Sequence, residues 1–200
     1  MKKLIVILAV LILVAGSVFA DETHVIKIKT TVESKTPTFV LKAGLSPDSF
    51  DRESDDDTMN TLGWETIEKS ILKENVVVYF QIAQKGYARK NGSKFLLSIE
   101  ASEMVREQNE DGSELGPDDE RYKTTKGVIS EINPINAEES NVEVAVSGSI
   151  DKSTAEIMTE YKGKVEDGTP IASFVVTWEK DVKALDGIYQ ASVILKVSPL

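Results

Sequence analysis

Apolar residues recur at every second position through most of this chain, a period that suits strands and not helices. Val142, Val144 and Val146 alternate with Glu143 and Ala145, and Ile26 and Ile28 alternate with Lys27 and Lys29. Successive side chains of a strand point to opposite faces, so the pattern describes strands with one buried face. Further strands are expected at Thr38–Lys42, Phe95–Ala101, Gly127–Ile132, Ile171–Glu179 and Ile188–Val197. Val76–Gln84 is apolar almost throughout and reads as a central strand covered on both faces.

Three dipeptides suggest how these strands connect. Asn91-Gly92 separates Tyr79–Ala88 from Phe95–Ile99, Asp167-Gly168 separates Met158–Val165 from Ile171–Trp178, and Asp186-Gly187 precedes the last strand. Such pairs supply the positive φ angles of tight hairpin turns, so hairpins are expected at these places. Two segments could form short helical turns. One runs through Glu156 and is capped by Asp151 or by Ser153, the latter at a capping-box spacing, and the other is Thr66 to Lys73. No amphipathic segment is long enough for a crossover helix. The expected fold is an all-β, antiparallel immunoglobulin-like sandwich.

The N-terminus reads as a secretory signal peptide over residues 1–20. Lys2 and Lys3 precede the apolar run Leu4–Ala15, and Val18-Phe19-Ala20 offers a cleavage site. A membrane anchor is the competing reading, but the run is shorter than the ~20 residues a spanning helix needs. The acidic flank Asp21-Glu22 also favours cleavage. Residues 21–200 are then expected to form one domain, exported to the periplasm, cell surface or medium, with no span remaining after cleavage.

There is no cysteine. A lipid-carrying cysteine is therefore missing, so no lipid anchor is expected, and no disulfide can form; stability must come from packing. The 33 acidic residues against 23 basic ones give a net charge of −10, which the loss of Lys2 and Lys3 makes more negative. A surface of that sign repels phosphate backbones, so no nucleic-acid partner is expected.

Candidate sites are few. The acidic stretch Asp48–Asp57 has oxygen ligands but no calcium-loop spacing, and reads as a solvated loop. Asn109, Asp111, Ser113 and Glu120 fall at positions 1, 3, 5 and 12 of a calcium-loop template, with Glu114 where that template wants glycine. They are the metal candidates, although Gly112, Gly116 and Pro117 equally describe a polar loop. His24 is the only histidine and lies close to the expected mature end, so neither a Ser-His-Asp arrangement nor a zinc site is expected. No phosphate loop appears, and neither catalytic residues nor cofactors are assigned. Trp178 shares strand parity with Phe174 and Val176 and is expected in the core. Trp64, after Gly63 and near the acidic stretch, is a candidate for a recognition surface.

The C-terminal stretch Tyr161-Lys162-Gly163, then Gly168-Thr169-Pro170-Ile171-Ala172-Ser173-Phe174, then Trp178, then Leu185-Asp186-Gly187-Ile188-Tyr189 opening an alternating run to Val197, carries a resemblance. It resembles the closing hairpin of bacterial immunoglobulin-like sandwiches, including fimbrial subunits and spore-coat-U-like proteins. The likeness covers the C-terminal part alone. Unlike many fimbrial subunits the chain has no disulfide, and it ends Ser198-Pro199-Leu200 without a penultimate aromatic.

Two functional readings follow. The first is an exported, non-enzymatic structural or interaction protein, with a fimbria-like subunit as its specific form and self-association or a protein partner implied. In that reading the strand Val25–Val32 either belongs to its own sheet, which is the expected case, or is donated to a neighbour. The second is a small-ligand or carbohydrate-binding module that uses calcium at an acidic loop.

Overall fold

The computed structural model describes residues 23–33, 39–50, 52–53, 60–68, 74–86, 91–135, 141–147 and 153–200. The expected signal peptide lies outside them. The chain begins with β1 (Thr23–Glu33), β2 (Phe39–Gly44), β3 (Arg52–Glu53), β4 (Asn60–Glu68) and β5 (Val76–Gln84). Then come β6 (Lys94–Ala101), β7 (Glu103–Gln108), β8 (Lys123–Lys126) and β9 (Val128–Pro134). The last four are β10 (Val142–Ser147), β11 (Thr154–Tyr161), β12 (Pro170–Trp178) and β13 (Ile188–Pro199). The described residues contain no helix.

Two sheets result. The larger has the order β10-β11-β6-β13-β1-β4, with β7 paired to β13 and β8 to β7. The smaller has the order β3-β2-β5-β12-β9. Neighbours are antiparallel except β1 and β13, which run parallel from Ile26↔Tyr189 to Glu33↔Lys196. On its other side β1 pairs antiparallel with β4. The arrangement is all-β and sandwich-like, with every alternation read in the sequence realised as a strand.

The core lies between the sheets. Along β12, Phe174, Val176 and Trp178 are buried, and along β13 Tyr189, Ala191, Val193, Leu195 and Val197 are. Phe80 stacks on Phe174 within the smaller sheet, their centroids 5.1 Å apart. Phe39 of the smaller sheet meets Phe95 of the larger edge-on at 5.6 Å. Phe39, Phe80 and Phe174 are fully buried, and each is worth ~1.5–3 kcal/mol in transfer alone. One polar tie also crosses the interior: the hydroxyl of Tyr161 donates to Oε1 of the fully buried Gln84. The Gln84 amide in turn donates to the Lys85 carbonyl at 2.8 Å, so its polar atoms are satisfied.

Trp178 is 1% exposed, as its strand parity requires. Its Nε1–H donates to the Ser102 carbonyl at 2.8 Å, tying β12 to the larger sheet. Ser102 sits in the break between β6 and β7, which pair with successive stretches of β13. Its hydroxyl accepts the Ser192 amide at 2.8 Å and so continues the ladder across the break. Gly127 lies against the indole, where an added Cβ would come within 2.8 Å of Trp178 Cε2. A bare backbone is required there.

Several expectations are corrected. The turn dipeptides do not close hairpins, because the strands they join lie in different sheets: β5 and β6, β11 and β12, and β12 and β13. Gly92 does take a positive φ of 84°, but its amide donates to the Tyr161 carbonyl of β11 at 2.7 Å. The Asp167-Gly168 turn docks on the end of β5, where the Asp167 carboxylate accepts the Gly86 amide at 2.8 Å. Ser153–Glu156 is not a helical turn but the start of β11, and Thr66–Glu68 belongs to β4; residues 69–73 lie outside the described part. β5 is central to its sheet but not covered on both faces. Val76, Val78, Phe80 and Ile82 are buried, while Val77, Tyr79 and Gln81 are half-buried.

Candidate functional site

The polar groups the sequence singled out for metal binding lie in the long connection from β7 to β8, and an arginine organises it. Arg106 on β7 is opposite Tyr189 of β13. Its Nε donates to the Asp186 carbonyl at 2.9 Å, Nη1 to the Glu120 carbonyl at 3.2 Å, and Nη2 to Asn109 Oδ1 at 2.9 Å. One guanidinium thus joins β7, the β7–β8 connection and the β12–β13 connection. Planar donors spread over three directions are what this needs, and lysine has no such fork. Gly187 makes the close approach possible, since a Cβ there would lie 2.6 Å from Arg106 Nε.

The turn itself is closed by its own donors and acceptors. The Asn109 amide donates to the Ser113 carbonyl at 2.9 Å, and the Ser113 amide donates to Asp111 Oδ1 at 2.9 Å. Hydrogen bonds from the Ser113 side chain and backbone hold the Asp111 carboxyl below its ordinary value. Asn109 Nδ2 donates to Ser113 Oγ at 3.1 Å. Further on, Tyr122 donates to Asp181 Oδ2 at 2.6 Å. That bond raises the tyrosine's pKa and lowers the aspartate's.

Asn109, Asp111 and Ser113 are therefore brought together as a turn, and Glu120 joins them only through its carbonyl on Arg106. This arrangement does not fit calcium. Asn109 Oδ1 and the Glu120 carbonyl already face a guanidinium, and a second cation there would be repelled. Among the described residues no group of three or more His, Cys, Asp or Glu is placed to hold a metal ion. In the other acidic stretch Arg52–Glu53 forms β3, paired with Lys42–Ala43, while residues 51 and 54–59 lie outside the described part. Trp64 is placed on β4 opposite Ile26. The side chains of β4 lie outside the described part of the structure, and so does that expectation.

Beside the pinned turn is an open cleft of about 380 Å³ that sequence reading did not locate. Its floor is the outer face of β13, where Ile188 and Gln190 point away from the core because Tyr189 and Ala191 point into it. Gln108 stands opposite Ile188 on β7. Leu115 and Glu114 come from the turn, and Glu107 and Arg121 form one wall, ion-paired at 3.3 Å. Among the described residues the side-chain amides of Gln108 and Gln190 have no hydrogen-bond partner, and both residues are half-buried. Two carboxylates against one guanidinium leave the lining slightly negative. Such a surface, with donors and acceptors mixed over two apolar side chains, suits a neutral polar ligand better than an anion. No motif could have announced it. Gln108 and Gln190 are far apart in sequence and meet only because β7 pairs with the start of β13.

Comparison with known protein families, with curated proteins and with solved structures found no match. Among the described residues no helix is long and apolar enough to cross a membrane.

Proposed function

We propose that this is an exported, non-enzymatic structural or interaction protein of the periplasm or cell surface, built as an immunoglobulin-like sandwich and acting in the manner of a fimbria-like subunit. The observation that carries this reading is how the interior is used. The large aromatics Trp178, Phe174, Phe80, Phe39, Tyr161 and Tyr189 are all buried at 1% exposure or less, and the interior polar pair Gln84–Tyr161 ties one sheet to the other. Together these groups join the two sheets, which a scaffold needs. The leader-like N-terminus supplies the address. Chemical cross-linking and size-exclusion chromatography of the exported protein test it. The reading expects self-association or one stoichiometric protein partner; a monomer at all concentrations, without a cross-linked partner on its native surface, overturns it.

The cleft favours a second reading, a small-ligand or carbohydrate-binding module. Its preformed walls and unpaired amides fit hydroxyl groups, each of which both donates and accepts. The reading needs no calcium, since Arg106 already takes up Asn109 Oδ1 and the Glu120 carbonyl. Titrating cellobiose, maltose and chitobiose into labelled protein, followed by amide NMR, separates the readings. Shifts confined to Gln108, Leu115 and Gln190 support the module, and unchanged spectra with all three sugars refute it.

A further inference from the structure

We infer that the fold resists a pull applied between the two ends of its chain, with the β1–β13 ladder as the element that bears the load. The inference rests on the structural reading above and assigns that role a physical task. It follows from the direction of two strands. β1 and β13 are parallel neighbours, in register over eight pairs from Ile26↔Tyr189 to Glu33↔Lys196.

In a parallel pair of this kind, the N-terminal end of β1 and the C-terminal end of β13 lie at opposite ends of the ladder. A pull on the two chain ends therefore draws β1 backward and β13 forward along their own axes. The inter-strand hydrogen bonds run across that direction, so all the pairs are strained together and none can open before the rest. An antiparallel pair pulled from its two ends on the same side opens one pair at a time.

The flanking strands close the other escape routes. β13 is held on its far side by β6, antiparallel from Val193↔Ala101 to Pro199↔Phe95, and by β7 near its start. Its inward residues from Tyr189 to Val197 are buried, so it cannot slide without dragging Val193 and Leu195 out of the core. β1 is held on its other side by β4, from Thr23↔Glu68 to Thr30↔Asn60. Neither terminal strand presents a loose end that a pull along the chain could peel. The Tyr189 hydroxyl adds a tie at the start of β13, donating to the Leu185 carbonyl at 2.6 Å.

The absence of native cysteine lets handles be attached at chosen points and nowhere else. Single-molecule force spectroscopy compares two geometries on the full chain. The first uses Thr23→Cys with Leu200→Cys, which loads the β1–β13 ladder in shear. The second uses Thr23→Cys with Glu68→Cys, which pulls apart the directly opposed ends of antiparallel β1 and β4 and peels the edge strand β4 from β1 one pair at a time. Forced unfolding reports the barrier along the pulling direction, so the first geometry is expected to rupture at a force about threefold higher or more. A third chain, carrying Thr30→Pro with the first pair of handles, removes one backbone donor from β1. Its shear force should drop while the Thr23–Glu68 force stays low. Equal rupture forces in the two geometries, or a lower one in shear, overturn the inference. That result leaves the structural reading standing, because self-association is decided separately by cross-linking.

Discussion

Replacing Trp178 by alanine tests the packing between the sheets at its most demanding point. The side chain is 1% exposed, so truncation removes nearly all of a large aromatic from the interior. Deletions of that size cost about 3–5 kcal/mol, because the surroundings collapse only in part. The lost hydrogen bond adds little: the Ser102 carbonyl still accepts the Gly127 amide at 3.1 Å, so it is not orphaned. Taking about 4 kcal/mol, the midpoint of thermal unfolding should fall by about 8–16 °C for a domain of this size. Gly127→Ala offers an independent check. Its Cβ would lie 2.7 Å from Val176 Cγ1 and 2.8 Å from Trp178 Cε2, overpacking worth about 1–3 kcal/mol. In the Trp178→Ala background that penalty should shrink, since the indole atoms are gone, so the two costs should not add. Urea denaturation followed by circular dichroism measures all three variants. A Trp178→Ala midpoint within about 0.5 kcal/mol of the parent, or full additivity with Gly127→Ala, would refute the packing argument.

Three further outcomes are expected. Arg106→Ala should release the turn Asn109–Ser113 from β7, seen as faster amide hydrogen exchange at Gly112 and Ser113 with the core strands unchanged; unaltered exchange there would mean the guanidinium is dispensable. Burial pushes the Tyr189 hydroxyl up to about 12 despite the opposing charge of Arg106. Its neutral form is thus favoured in the folded state, and the stability it contributes is complete below pH 10 and lost as pH rises toward 12. A two-unit shift corresponds to about 2 kcal/mol after allowance for screening, and Tyr189→Phe should flatten the decline; equal alkaline slopes in parent and variant would contradict it. Deleting residues 21–32 should leave the flanks of β13 and β4 unpaired, and the remainder should aggregate or unfold on a sizing column. A soluble, folded monomer from that truncation would instead favour a donated strand.

The period of two was legible because it reflects burial, and burial is what most of these side chains are chosen for. Partnership was not. Glycine at a turn reports the sign of φ, which Gly92 and Gly168 do adopt, but not whether the next strand stays in the same sheet. β11 was partly hidden by its own faces. Thr159 points inward and is 2% exposed, while Met158 points outward at 44%, so polarity and burial disagree at two adjacent positions. β8 offered almost no signal, since only Thr124 of Lys123–Lys126 is buried. The cleft was illegible for a different reason: Gln108 and Gln190 become neighbours through strand pairing, and nothing in either local sequence records it. The metal candidates were legible as a turn, and the arginine that takes up two of their oxygens stands outside the template that proposed them.

The pairing of β1 with β13 also has a consequence for timing. A chain made N-terminus first delivers β1 and its antiparallel neighbour β4 long before its parallel neighbour β13. Most connections cross from one sheet to the other, so many pairings wait for strands that come later in the chain. Contacts between residues so distant in sequence must overcome the entropy of closing a long loop before they stabilise anything. The larger sheet cannot close until Ile188–Pro199 has been released. The β1–β13 ladder is therefore completed only after every other described strand has been delivered.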